Sequence, residues 1–138
     1  MIRFDAQNAI PDYLDIPAVQ QWIHNVAEAK GFTVDQIQYV FCSDDYLLEI
    51  NRQHLDHDYY TDIITFDYSK GKKLSAEIYI STDRTEDHAK EYGVAPEKEL
   101  LRVIIHGVLH LMGLRDYTDE EKAQMRREEE WALGMVFQ

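Results

Sequence analysis

Residues 96–116 read PEKELLRVIIHGVLHLMGLRD, and the fold follows from how this stretch must be buried. Pro96 suits the first turn of a helix, and the apolar periodicity behind it predicts a helix running to Met112. Leu100, Leu101, Val103, Ile104, Ile105, Val108, Leu109, Leu111 and Met112 leave almost no polar side, so this helix is expected at the buried centre of the domain. His106 and His110 lie within the apolar segment, four residues apart, so their imidazoles project from one face at successive turns. Such a pair can chelate one metal ion; the alternative is two core histidines hydrogen-bonded to backbone. The continuation favours the metal. Gly113 can end the helix in the left-handed conformation that other residues adopt only at a cost, turning the chain back beneath the histidines. Asp116 is then the carboxylate in reach, although taken alone it reads as well as a cap or a solvated loop residue. The pattern His-x3-His-x5-Asp offers two neutral nitrogens and one oxygen, a set suited to zinc with an open fourth position. Zinc there would lower the pKa of a bound water to about 7.

One position separates this pattern from the HExxH zinc proteases, whose glutamate acts as general base. Here that position is Gly107. Peptide hydrolysis is disfavoured, while metal-activated water is not.

Outward from this helix, the chain reads as a single domain over 1–138, with no repeat and no linker rich in Pro, Gly or Ser. A strand over 2–5 precedes a helix after Pro17, whose Val19, Trp22, Ile23, Val26 and Ala27 share a face and which Gly31 ends. A strand over 37–42 leads to a helix capped by Ser43, with Tyr46, Leu47, Ile50 and His54 at helical spacing. Runs over 62–68 and 76–80 flank a polar, glycine-containing connector, which predicts an antiparallel hairpin. Helices over 82–92 and 118–133 complete the chain, the last docking through Ala123, Met125, Trp131 and Leu133. Strands mostly early and helices mostly late give an α+β fold, a small mixed sheet of about four strands packed with helices, the metal site at the end of the buried central one.

At 138 residues the chain buries roughly 68–70% of its unfolded surface, enough for a core without disulfides. The hydrophobic fraction of 45% and aromatic fraction of 12% exclude an acidic disordered tail. The lone Cys42 lies in an apolar run and reads as a buried structural thiol. No apolar run is long enough for a membrane span and the N-terminus has no signal-peptide pattern, so a cytoplasmic protein is expected. The net charge of -12 argues against nonspecific affinity for polyanions. Between residues 44 and 62 six acids meet one base, so any RNA substrate must be held by a metal, a few local cations or a partner.

With these residues in view, the chain resembles the YbeY endoribonucleases. Their signature H-G-x-L-H-L-x-G-Y-D-H is met by His106-Gly107-Val108-Leu109-His110-Leu111-Met112-Gly113-Leu114-Arg115-Asp116. An asparagine followed by T-D-V-L-S-F is met by Asn51 and Thr61-Asp62-Ile63-Ile64-Thr65-Phe66, and G-D-I-x-I-S by Ala76-Glu77-Ile78-Tyr79-Ile80-Ser81. The likeness runs in order over about 44–130. It implies a metal-dependent, single-strand-specific endoribonuclease of ribosomal RNA maturation and ribosome quality control. It further implies one divalent ion, zinc first, on His106, His110 and Asp116, and a substrate groove bordered by Thr61, Asp62 and Phe66. The implied partners are ribosomal RNA or small-subunit components, not DNA and not membranes.

Two departures stand out. The family's third ligand is histidine where this chain has Asp116, which makes the metal less positive and raises the pKa of its water. Leu55 occupies the position of a functional family arginine, so one phosphate contact is missing. Arg115, where the family carries aspartate, is the candidate substitute as a catalytic phosphate-binding residue; alternatively it is a solvated loop arginine. His54 and His57 could approach the metal or lie on the surface. Lys70, Lys72 and Lys73 read as solubilising charges, and Met125 as a packing residue rather than a methionine beneath the metal. Two rival readings remain: a ribosome-assembly binding protein with a structural metal, and a metallohydrolase for another substrate.

Overall fold

Strands β1 (Ile2–Ala6), β2 (Thr33–Cys42), β3 (Ile63–Asp67) and β4 (Lys73–Ser81) form one mixed sheet in the order β1-β2-β4-β3, in a computed structural model that describes residues 1–55 and 60–136. β1, β2 and β4 run parallel, and β3 is an antiparallel edge strand on β4. Five helices accompany the sheet among the described residues: α1 (Ile16–Ala29), α2 (Asp44–Leu55), α3 (Thr82–Tyr92), α4 (Pro96–Leu111) and α5 (Asp119–Gly134). This is the α+β arrangement expected, with two strands longer than their apolar runs. β2 starts at Thr33 and β4 at Lys73: the two extensions pair with Leu74 fully buried and Val34 packed on the core beside it, and the Ser75 hydroxyl donates to Asp35 Oδ2. A register shift between Val34 and Gln36 interrupts the alternation of β2 at this point.

Period-2 alternation divides the sheet between two cores. Ile37, Tyr39, Phe41, Ala76, Ile78 and Ile80 face the main core, shared with α1 and α4, while Cys42 and Ile64 face a smaller one with Leu47 and Ile50 of α2. The Cys42 thiol donates to the Ile80 carbonyl, and burial, then Asp83 and Asp44, push its pKa up to about 12, so it is the inert thiol expected. On α2 the buried stripe is Leu47, Leu48, Ile50 and Asn51; Tyr46 and His54 are exposed, contrary to the spacing argument. The β3–β4 hairpin closes through reciprocal backbone bonds between Lys70 and Lys73, with Gly71 at φ 58°.

α4 is buried nearly all round and packs between the sheet, α3 and α5. Gly107 sits against the sheet: a Cβ there would meet Ile63 Cδ1 at 3.1 Å and Ile78 Cδ1 at 3.3 Å. A side chain at 107 would have to push both isoleucines aside, so packing as well as chemistry disfavours the protease base at this position. Tyr39 anchors the helix by donating its hydroxyl to the Ile104 carbonyl, and Trp22 Nε1 donates to Ala132, joining α1 to the end of α5. α5 docks through Met125, Glu129, Ala132 and Leu133. Ala123 is exposed and Trp131 is 40% exposed, so two of the four expected anchors face away from the core. Met125 is simple packing.

Candidate metal centre

The end of α4 is shaped by Gly113, at φ 100° with no atom near its missing Cβ. Its amide bonds the His110 carbonyl and the Leu114 amide bonds the Leu109 carbonyl, the paired bonds of a Schellman cap. That cap folds the Leu114 carbonyl back onto His110 Nδ1 at 2.8 Å and carries the chain round to Asp116. α5 begins two residues later with a capping box, Thr118 and Glu121 each bonding the other's backbone amide. The Thr118 amide holds the Glu121 carboxyl below its ordinary range. Both ends of the Asp116 loop are therefore fixed by backbone hydrogen bonds.

Because φ is the constraint at Gly113 and space is free, Gly113→Ala is expected to cost about 1–2 kcal/mol through the left-handed penalty. It should also weaken zinc binding by moving Asp116. Thermal melts with and without zinc would test this, an unchanged melt in both conditions being the contrary result.

The three side chains converge. His106 Nε2 and His110 Nε2 lie 2.9 Å apart, and each is 3.4 Å from Asp116 Oδ2. Their protonation follows from what lies behind them. The Leu114 carbonyl only accepts, so a neutral His110 carries its proton on Nδ1 and a lone pair on Nε2. His106 Nδ1 lies 2.6 Å from the Glu129 carboxylate. Burial opposes ionisation of Glu129, but the His106 hydrogen bond and Arg102 outweigh it and hold its pKa below the ordinary value. His106 Nδ1 therefore donates, leaving Nε2 a lone pair. Two nitrogen lone pairs and a carboxylate oxygen face one another, all acceptors; a divalent cation satisfies all three, so this chain's residues fit the ion.

A groove of about 460 Å³ opens over these atoms, lined by Asn51 and Leu55 of α2, by Thr61, Asp62, Ile63, Thr65 and Asp67 around β3, and by Leu111 and Tyr117. Asp62, Asp67 and Asp116 make it acidic, and no Lys or Arg is among its described lining residues. Thr61 and Asp62 thus stand at the groove. Phe66 does not. Ile63 and Thr65 point towards α4, so alternation sends Phe66 to the opposite face, edge-on to His54 and Tyr79 at 6.0 Å each. There it lines a separate hollow with Tyr46 and Tyr68. Arg115 is exposed, does not line the groove, and its charge acts on Glu121. His54 is on the far side of β3, and His57 lies outside the described residues.

Glu129 is the residue that sequence reasoning missed, since the last helix was expected to dock through Ala123, Met125, Trp131 and Leu133 alone. It is 2% exposed and bonds both Arg102 and His106. Its signal was positional, four residues after Met125 and three before Ala132 on one helical face.

A family model described as "Endoribonuclease YbeY" matches residues 5–136. The Endoribonuclease YbeY of Bacteroides thetaiotaomicron is 50% identical over 115 residues, 83% of this chain and 84% of the relative. That of Parabacteroides distasonis is 47% identical over 119 residues, 86% of this chain and 84% of the relative. Among solved structures, the solution structure of TM1509 from Thermotoga maritima aligns with a TM-score of 0.67 at 26% identity, covering 99% of this chain and 91% of that one.

Proposed function

We propose, because this chain belongs to the YbeY endoribonuclease family, that it cuts single-stranded RNA in ribosomal RNA maturation, with one divalent ion, zinc first, on His106, His110 and Asp116. The observation that carries this reading is the convergence of three acceptor atoms within 4.8 Å at the floor of an open groove. A divalent ion supplies Lewis acidity towards a phosphodiester oxygen and acidifies a water. The chain's own groups do the rest. His110, fixed by the Leu114 carbonyl, and His106, fixed by Glu129, present lone pairs without further rearrangement. Thr61 donates to the Ile63 carbonyl at 3.4 Å, holding the groove edge where β3 begins. Leu55 gives an apolar wall in place of a cation, and Asp62 and Asp67 repel phosphates. Substrate affinity then rests on the ion and on presentation by ribosomal small-subunit components in the cytoplasm. Among the described residues no helix is long and apolar enough to cross a membrane. Three ligands beside an open groove suit a reactive ion better than a structural one, which is usually closed by four. Peptide hydrolysis finds no base at Gly107.

Chelator-treated protein reloaded with zinc should cut single-stranded RNA and spare a duplex of the same sequence and a peptide. Cutting that survives chelation would overturn the reading, and loaded protein that binds the small subunit but leaves RNA intact would support the assembly-factor rival. Arg115, the arginine next to a ligand, would meet phosphate only from the rim. Arg115→Ala is expected to weaken RNA binding less than about tenfold, on the order of 1 kcal/mol, as for an exposed ion pair.

A further inference from the structure

A chain of buried ionic hydrogen bonds runs away from the centre into the body of the protein. Glu99, Arg102 and His106 lie on one face of α4, and Glu129 reaches them from α5. Arg102 grips Glu99 with two bonds, Nε to Oε1 at 2.9 Å and Nη2 to Oε2 at 2.8 Å. Its third nitrogen, Nη1, donates to Glu129 Oε1 at 3.1 Å, leaving Glu129 Oε2 for His106 Nδ1. Glu99 and Glu129 are 3% and 2% exposed, so neither carboxylate turns to solvent. Burial opposes the charge on Arg102, yet the Glu99 hydrogen bonds and Glu129 outweigh it and raise its pKa.

We propose that Glu129, aligned by Arg102 and Glu99, is a positioning residue that fixes the tautomer of His106 and so makes its Nε2 a ligand. The inference rests on the metal-centre reading above. The alternative tautomer, with the proton on Nε2, would aim a hydrogen at the ion. Arg102 matters because it settles which way the carboxylate faces. A guanidinium only donates, so one oxygen is always taken and the other stays aimed at Nδ1. Carboxylates behind ligating histidines have this effect on ring orientation and basicity, and losing one costs 10–100-fold in metal affinity.

The decisive variant is Glu129→Gln. Its amide has one oxygen for two donors. Arg102 cannot accept, so it takes the oxygen and leaves the amide nitrogen facing His106 Nδ1. That atom must then accept, and the ring proton moves to Nε2. We expect the 15N and 1H correlations of the apo protein at about pH 9 to show His106 protonated on Nδ1 in wild type and on Nε2 in Glu129→Gln. His110, held by the Leu114 carbonyl, should keep its proton on Nδ1 in both, as an internal reference. Zinc affinity by chelator competition should fall 10–100-fold in the variant. Glu129→Asp, which keeps two oxygens, should restore the Nδ1 proton and part of the affinity.

A wild-type His106 protonated on Nε2 overturns the inference, whether or not any variant folds. So does a folded Glu129→Gln with wild-type zinc affinity. Wild type that binds no zinc would instead refute the metal centre, while the tautomer readout would still test the Glu129 contact.

Discussion

His110→Ala is expected to lower zinc affinity by more than the 100-fold that bounds the loss of a carboxylate behind a ligand, while leaving the apo protein about as stable as wild type. The two halves of that expectation have separate causes. In the presence of zinc the variant loses one of three donors, and the remaining pair, His106 Nε2 and Asp116 Oδ2, cannot enclose an ion. Without zinc nothing joins the three acceptor atoms, and crowding two imidazole nitrogens to 2.9 Å with a carboxylate oxygen 3.4 Å from each is expected to cost stability. Removing His110 relieves it and gives up one hydrogen bond to the Leu114 carbonyl, worth about 1 kcal/mol, so the terms offset. Function at the expense of stability is common at such sites. Chelator competition and thermal melts in EDTA would measure both. Affinity within tenfold of wild type, or an apo loss of several kcal/mol, would show that the imidazoles are packing residues. Asp116→His, which keeps a metal-ligating side chain at this position, should retain the ion.

What the sequence made legible follows from which signals are local. The apolar run of α4, its two histidines and Gly113 all lie within a few turns, and helical spacing with one left-handed glycine suffices to assemble them. The cap at Ser43, whose hydroxyl accepts from the Tyr46 amide, was readable for the same reason. Phe66 was assigned to the groove because the motif contains it, but strand parity decides its face, and parity needs one fixed neighbour. Ile63 against Gly107 supplies that neighbour only in three dimensions. Arg115 adjoins Asp116 in sequence, yet it is exposed and does not line the groove. Glu129 was hidden by its company, between Glu128 and Glu130, where composition suggests solvent and only the spacing from Met125 suggests burial. The partner that justifies a buried carboxylate, Arg102, is 27 residues away. Long-range ionic pairing leaves no periodic trace, and it is therefore what one chain conceals best.

That pairing gives the largest expected effect on stability. Arg102→Met removes the only cation that either Glu99 or Glu129 touches through a described arginine or lysine hydrogen bond, and leaves two carboxylates almost fully buried. Breaking a buried ionic network in this way costs about 3–5 kcal/mol, because an uncompensated charge stays behind. For a domain of this size that is roughly 10–20 °C in Tm. The pH dependence should reverse as well. In wild type, Glu129 has a lowered pKa, so its contribution is present above the ordinary glutamate pKa of about 4.3 and lost as pH falls. In Arg102→Met the buried carboxylates are expected to have raised pKa values, so the deficit is small in acid and grows as pH rises. Replacing Glu99, Arg102 and Glu129 together by leucine removes every charge of the network. Stability should then return to within about 1–2 kcal/mol of wild type, since apolar substitutes for buried ion networks are often neutral or better. Zinc affinity should not return, because His106 Nδ1 has lost its acceptor. Denaturant unfolding and chelator competition on these two variants separate what the network does for the fold from what it does for the ion, and recovery of both in the triple variant would mean that the network serves stability alone.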